Sequence, residues 1–93
     1  MPAYITLIRW TDKGRENVSS LPDRADQVAK RVEQAGGKLL GNYVTMGRFD
    51  QVSIVDAPDE ETVAKLALVI AGRGNATTET LRAFTMEEVR DLV

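Results

Sequence analysis

The side chains able to do chemistry in this chain are few and of limited kinds. The 93 residues contain no Cys and no His. That removes the thiolate nucleophile, the disulfide, the commonest zinc ligand, the proximal haem ligand and the usual general base. No metal site and no cofactor is expected. What remains is carboxylates, hydroxyls, amides, Lys and Arg, a set that lowers the expectation of an enzyme. Arg82 offers a guanidinium that binds a carboxylate or phosphate bidentately, or pairs with Glu79 or with a carboxylate of a second chain. Trp10 and Tyr43 offer rings to stack on a ligand or to fill a self-association core. Asp50 offers a carboxylate, whose plainer use is to tie down backbone N–H groups in a turn.

These residues depend on strands and on one hairpin for their positions. Asn42 to Met46 and Gln51 to Val55 are β-rich runs around Gly47-Arg48-Phe49-Asp50. Gly47 takes φ > 0 without a Cβ clash, so the tetrad reads as a hairpin turn with Phe49 as an apolar plug beside it. Ala3 to Trp10 is the first strand, rich in β-formers and apolar on both sides. A short helix from Thr11-Asp12 to about Val18 follows. A longer one starts at Ser20-Leu21-Pro22-Asp23, with Asp23 at the capping-box position, and ends at Gly36-Gly37. Its apolar stripe is Ala25, Val28, Ala29, Val32 and Ala35.

Lys38 to Met46 and Gln51 to Ala57 are the second and third strands. Asp59 caps the next helix, whose buried stripe is Val63, Leu66, Ala67 and Ile70. Gly72-Arg73-Gly74 ends that helix, and following a helix rather than opening one, it is no phosphate cradle. Ala76 to Phe84 is the fourth strand. Thr85-Met86-Glu87-Glu88 is a capping box for a terminal helix that packs through Val89 and Leu92. The order β-α-β-β-α-β predicts an α+β fold: a ferredoxin-like four-stranded antiparallel sheet with helices on one face, a single domain over residues 1–93.

Alternation assigns Ile5/Leu7, Leu40/Val44/Met46, Val52/Ile54 and Leu81/Ala83 to the helix-covered face. The open face then carries Tyr4, Thr6, Ile8, Trp10, Tyr43, Thr45, Gln51, Ser53, Thr78, Thr80 and Arg82. That set is too apolar for comfortable exposure, and closure against a second copy is the natural remedy. The ligand-binding candidates are accordingly Tyr4, Thr6, Trp10, Tyr43, Asp50, Ser53, Thr80 and Arg82, with Gly47, Phe49 and Asp50 as turn residues.

The run Tyr4-Ile5-Thr6-Leu7-Ile8-Arg9-Trp10-Thr11-Asp12-Lys13-Gly14, the Gly36-Gly37-Lys38-Leu39 corner, Tyr43-Val44-Thr45-Met46-Gly47 and Asn75 through Thr85 resemble the GYD-domain family. The likeness covers nearly the whole chain. The family's Gly-Tyr-Asp motif falls at Gly47, Phe49 and Asp50, where Phe replaces Tyr and a phenolic hydroxyl is lost. The resemblance implies a dimeric α+β barrel, two ferredoxin-like sheets facing each other. A similar hairpin occurs in the effector-binding domain of AsnC-type transcription regulators, a likeness of fold.

The net charge of −2 gives no strong attraction to nucleic acid. No apolar run is long enough for a bilayer and no signal-peptide pattern opens the chain, so a cytoplasmic location is expected. The expected function is a homo-oligomeric small-molecule-binding or regulatory domain, with itself as partner, as a dimer or higher, and a small anionic or aromatic ligand. The alternatives are a cofactor-free oxygenase or isomerase using Trp10, Asn42, Tyr43, Asp50 and Arg82, or a purely structural oligomerisation domain.

Overall fold

Hydrophobic periodicity switches between two and 3.6 residues along the chain, and each switch marks an element. In the computed structural model, which describes all residues from Met1 to Val93, these are β1 (Ala3–Trp10), α1 (Asp12–Glu16), a 3₁₀ turn (Val18–Ser20), α2 (Leu21–Gln34), β2 (Lys38–Val44), β3 (Gln51–Asp56), α3 (Glu60–Gly72), β4 (Ala76–Ala83) and α4 (Met86–Leu92). The strands form one antiparallel sheet in the order β2-β3-β1-β4, the ferredoxin-like arrangement. Helices α2 and α3 lie over one face. The molecule is a slab of 45 × 30 × 18 Å.

The helix starts follow their capping chemistry, with one exception. Asp59 accepts from Thr62 N–H at 2.8 Å at the start of α3. Thr85 and Glu88 form a complete capping box at α4. The expected capping box at Ser20 does not form: its hydroxyl donates to Asn17 O and accepts from Arg24 Nε instead. The short first helix gives way to the 3₁₀ turn before Val18.

In β1, β3 and β4 the two faces of the sheet are the reverse of the sequence expectation. The core is Tyr4, Val32, Val55 and Ala57, with Val28, Leu39, Val63 and Leu66 packed against it. Tyr4, Thr6, Ile8 and Trp10 therefore point at the helices, as do Gln51, Ser53 and Thr80. Ile5, Leu7, Val52 and Ile54 form the open face. The pairings Ile5↔Ile54, Leu7↔Val52 and Ile5↔Leu81 place them side by side. The reason is that β1 is apolar on both sides, so alternation alone is indifferent. The large Tyr4 ring and the Val55–Ala57 pair fill the space under α2 and α3.

A second correction lies in β2. Leu39 pairs with Val55 but Gly41 with Ile54, so Leu40 is an extra, bulged residue. The bulge shifts the alternation, so Tyr43, opposite Val52, stays on the open face as expected although Tyr4, Thr6, Trp10, Ser53 and Thr80 have changed sides. The Tyr43 ring lies against Gly41, where a Cβ would stand 2.7 Å from its Cε2. The strand also ends at Val44, two residues early, leaving Met46 99% exposed beyond it.

Leu81 is not under the helices but 43% exposed on the open face. In α2, Val32 is buried and Ala25, Val28 and Ala29 half-buried, while Ala35 is exposed. In α4, Val89 is half-buried but Leu92 is exposed.

Candidate functional site

Two surfaces present chemistry, one on each side of the sheet. On the helix side, β1, β3 and β2 bring Trp10, Gln51 and Asn42 into one line. Trp10 Nε1–H donates to Gln51 Oε1 at 3.1 Å, and Gln51 Nε2–H donates to Asn42 Oδ1 at 2.7 Å. Burying a glutamine costs stability unless both ends are satisfied, and Gln51 is satisfied on both. The row ends on the Asn42 amide group, which keeps its N–H donors free. Above the row is a cavity of about 80 Å³, walled by Ile8, Leu21, Val28 and Ile70. Arg24 and Arg73 also line it, and no carboxylate does. Asn75 lines it too, with a buried Oδ1 that accepts no hydrogen bond.

Below this cavity a smaller one of about 30 Å³ lies between the helices and Tyr4, Thr6, Ser53 and Thr80. Four of the candidate residues thus meet, but under α2 and α3 rather than on an open barrel wall.

Asp50 is engaged throughout. Its carboxylate Oδ2 accepts from Trp10 N–H at 2.8 Å, its own N–H donates to Ile8 O at 2.9 Å, and its carbonyl accepts from Thr45 N–H at 2.9 Å. It ties the hairpin to the end of β1, the turn role. Gly47 stands at φ 107°, as the turn requires. Phe49 plugs the hairpin between two guanidinium groups, those of Arg9 at 5.2 Å and Arg48 at 5.5 Å from its ring centre.

Arg82 does not enter a barrel interior. It shares the side of its β1 neighbour Tyr4 at the outer edge of β4. There it stacks on Phe84 at 4.2 Å, donates to the carbonyls of Ala3 and Ala83, and approaches Glu88 of α4 at 3.9 Å. Its acidic partner is thus in its own chain, and is not Glu79. The N–H of Thr85, with help from Arg82, holds the Glu88 carboxyl below the usual glutamate range.

The five residues of the enzymatic alternative are divided. Trp10, Asn42 and Asp50 gather at the hairpin end of the sheet. Tyr43 is on the opposite face. Arg82 pairs with Tyr4, six residues along β1 from Trp10, or about 20 Å at strand rise.

Arg24, Arg73 and Asn75 escape a reading of the sequence. Arg24 lies outside the apolar stripe of α2, and Arg73 sits in a helix terminator, so each resembles a solvated cation. Their only shared signal is tertiary: the end of α3 comes back beside the start of α2.

On the open face, Ile5, Leu7, Val52 and Ile54 form an apolar centre edged by Tyr43 and Leu81. No element of the chain covers it.

Comparison with known proteins gives concordant results. A family model described as GYD domain matches residues 4–93. The chain is 34% identical over 90 residues to a Thermus thermophilus protein named glutamine synthetase and cystathionine beta-lyase binding protein, covering 96% of this chain and 95% of that one. Among solved structures, it superposes on the leucine response regulatory protein of Mycobacterium tuberculosis with a TM-score of 0.57 and 17% identity. That match covers 90% of this chain but only 51% of the regulator, so the chain spans about half its length. A solved structure from Thermus thermophilus matches with a TM-score of 0.52 and 24% identity, over 91% of this chain and 95% of that one. These two structural likenesses are of fold.

Proposed function

The chain belongs to the GYD-domain family, and from that premise we propose that it is a homo-oligomeric regulatory module that works by binding. The observation that carries this reading is the uncovered apolar face formed by Ile5, Leu7, Val52 and Ile54. A monomer of 10.2 kDa ordinarily exposes about 5,300 Å², whereas this chain exposes 6309 Å². The excess, on the order of 1,000 Å², is comparable to the roughly 800 Å² per partner of a stable interface. Closing two such faces about a two-fold axis removes that surface without leaving a new edge.

The name of the relative supports regulation through protein contacts, and glutamine synthetase and cystathionine beta-lyase are the partners to try first. A small anionic or aromatic ligand would act as the signal. The absence of any helix long and apolar enough to cross a membrane is compatible with work on soluble partners in the cytoplasm.

Sedimentation at micromolar concentration, run alone and then with each purified enzyme of the same organism, tests the proposal. We expect at least a dimer alone and a faster species with one of the enzymes. A monomer that leaves both enzymes unshifted would overturn it.

A further inference from the structure

We propose that the cavity over the Trp10–Gln51–Asn42 row is a binding site for a small carboxylate that carries a hydroxyl or amine donor beside the carboxyl group. The inference rests on the regulatory reading only for its consequence, since the cavity lies on the side of the sheet away from the open face.

Three independent features specify the ligand. Charge comes first: Arg24 and Arg73 line the cavity, and no carboxylate does. The two ion pairs of the molecule, Arg15–Asp12 and Arg82–Glu88, use neither arginine. Arg24 spends Nε on Ser20 Oγ and Nη2 on Asn17 O, which fixes its side chain and leaves Nη1 free. Two guanidinium groups without an acidic partner at a partly enclosed site attract an anion, and their planar forks suit a carboxylate.

The second feature is Asn75 Oδ1, a buried acceptor that receives nothing. Leaving such an atom unpaired is costly. Asn75 is held in place, because its carbonyl accepts from Thr11 N–H at 3.0 Å. The residue lines the cavity while its oxygen is closed to solvent as the side chains stand. An occupant that brings a donor, and toward which the amide turns, satisfies it, and a plain anion does not. The free N–H donors of Asn42 at the end of the amide row provide a counterpart for a second ligand oxygen.

Size is the third. An apolar cavity of about 150 Å³ holds benzene. At about 80 Å³, the enclosed part of the ligand is only a few atoms, set against Ile8, Val28 and Ile70, with its carboxylate toward the arginines. A short hydroxy or amino acid skeleton fits this description, and a long-chain or polycyclic acid does not.

Trp10 is the only tryptophan and lines the cavity, so its emission reports occupancy. The test titrates the whole protein with L-lactate, propionate and lactamide. Lactate has both charge and donor, propionate lacks the donor, and lactamide lacks the charge. We expect saturable lactate binding, about tenfold weaker propionate binding, the size of one lost hydrogen bond, and no saturation with lactamide. The double variant Arg24→Gln/Arg73→Gln should lose the lactate response while keeping the parent melting temperature. Should that variant fail to fold, Asn75→Leu decides: it removes an unsatisfied acceptor, so it should fold and bind lactate no better than propionate. A linear response common to all three compounds, or a lactate preference that survives Asn75→Leu, would overturn the proposal. Sedimentation of the same samples reports self-association separately, so failure of the pocket and failure of the oligomer cannot be confused.

Discussion

At Gly47 the requirement is backbone conformation alone. Its φ is 107°, yet nothing lies within 4 Å of where a Cβ would stand. Space is therefore not limiting, and only the left-handed conformation discriminates among replacements. Gly47→Asn should melt near the parent protein. Gly47→Val should cost on the order of 1–2 kcal/mol, or roughly 5–15 °C in a domain of this size. Equal melting temperatures for the two variants would show that the turn is not the constraint. Gly47 and Asp50 were legible in the sequence because turn chemistry is local: the residues that impose the bend are the ones that make it. Arg82 was not. Its partners are a ring two residues on, a carbonyl of β1 and a carboxylate in α4, and strand alternation speaks to none of these.

Among the elements, helix starts were easy to read and strand faces hard. Asp59 caps α3 in the expected way, and the backbone N–H of Thr62, then its hydroxyl, hold the aspartate pKa below its ordinary 3.8. A carboxyl whose folded pKa is depressed stabilises the fold above its unfolded pKa and loses that contribution as pH falls through the folded value. Asp59→Ala should therefore lower the melting temperature at neutral pH. The gap to the parent should narrow only once pH falls below the normal aspartate range. A gap that is unchanged in strong acid would mean that the carboxylate charge contributes nothing to the cap. The strands gave their positions and order but not their faces. In β1 both sides are apolar, so the decision fell to the volume available under α2 and α3. In β2 a single bulged residue, Leu40, put Tyr43 on the opposite side from Tyr4. Tyr43 thus kept its expected open face while Tyr4, Thr6, Trp10, Ser53 and Thr80 did not, and nothing in Lys-Leu-Leu-Gly-Asn-Tyr-Val marks which residue is the extra one.

Across the whole molecule, the sheet is a wall with two dissimilar sides, and neighbouring residues of β1 test them against each other. Ile5 sits at the centre of the open face, between Ile54 and Leu81. Thr6, the next residue, lines the small cavity under the helices. A lysine at position 5 meets solvent in the monomer, where surface changes are worth within about 0.5 kcal/mol. In a two-fold assembly that closes this face the same lysine enters the interface from both copies, so a charge is desolvated on each side. Ile5→Lys should thus leave far-UV circular dichroism intact and shift the sedimentation of the protein to that of a monomer. Thr6→Lys should do the opposite kind of damage, since it drives an ammonium into the space bounded by Val32, Val55 and Leu66. It should unfold the chain or lower its melting temperature by well over the roughly 4–8 °C that 1 kcal/mol represents at this size. The pair is informative because the reading from the sequence assigns the two positions the other way round. If Ile5→Lys were the variant that unfolds and Thr6→Lys the one that dissociates, both the face assignment and the proposed interface would be wrong together. If Ile5→Lys neither unfolds nor dissociates the protein, the fold stands and self-association must use another surface.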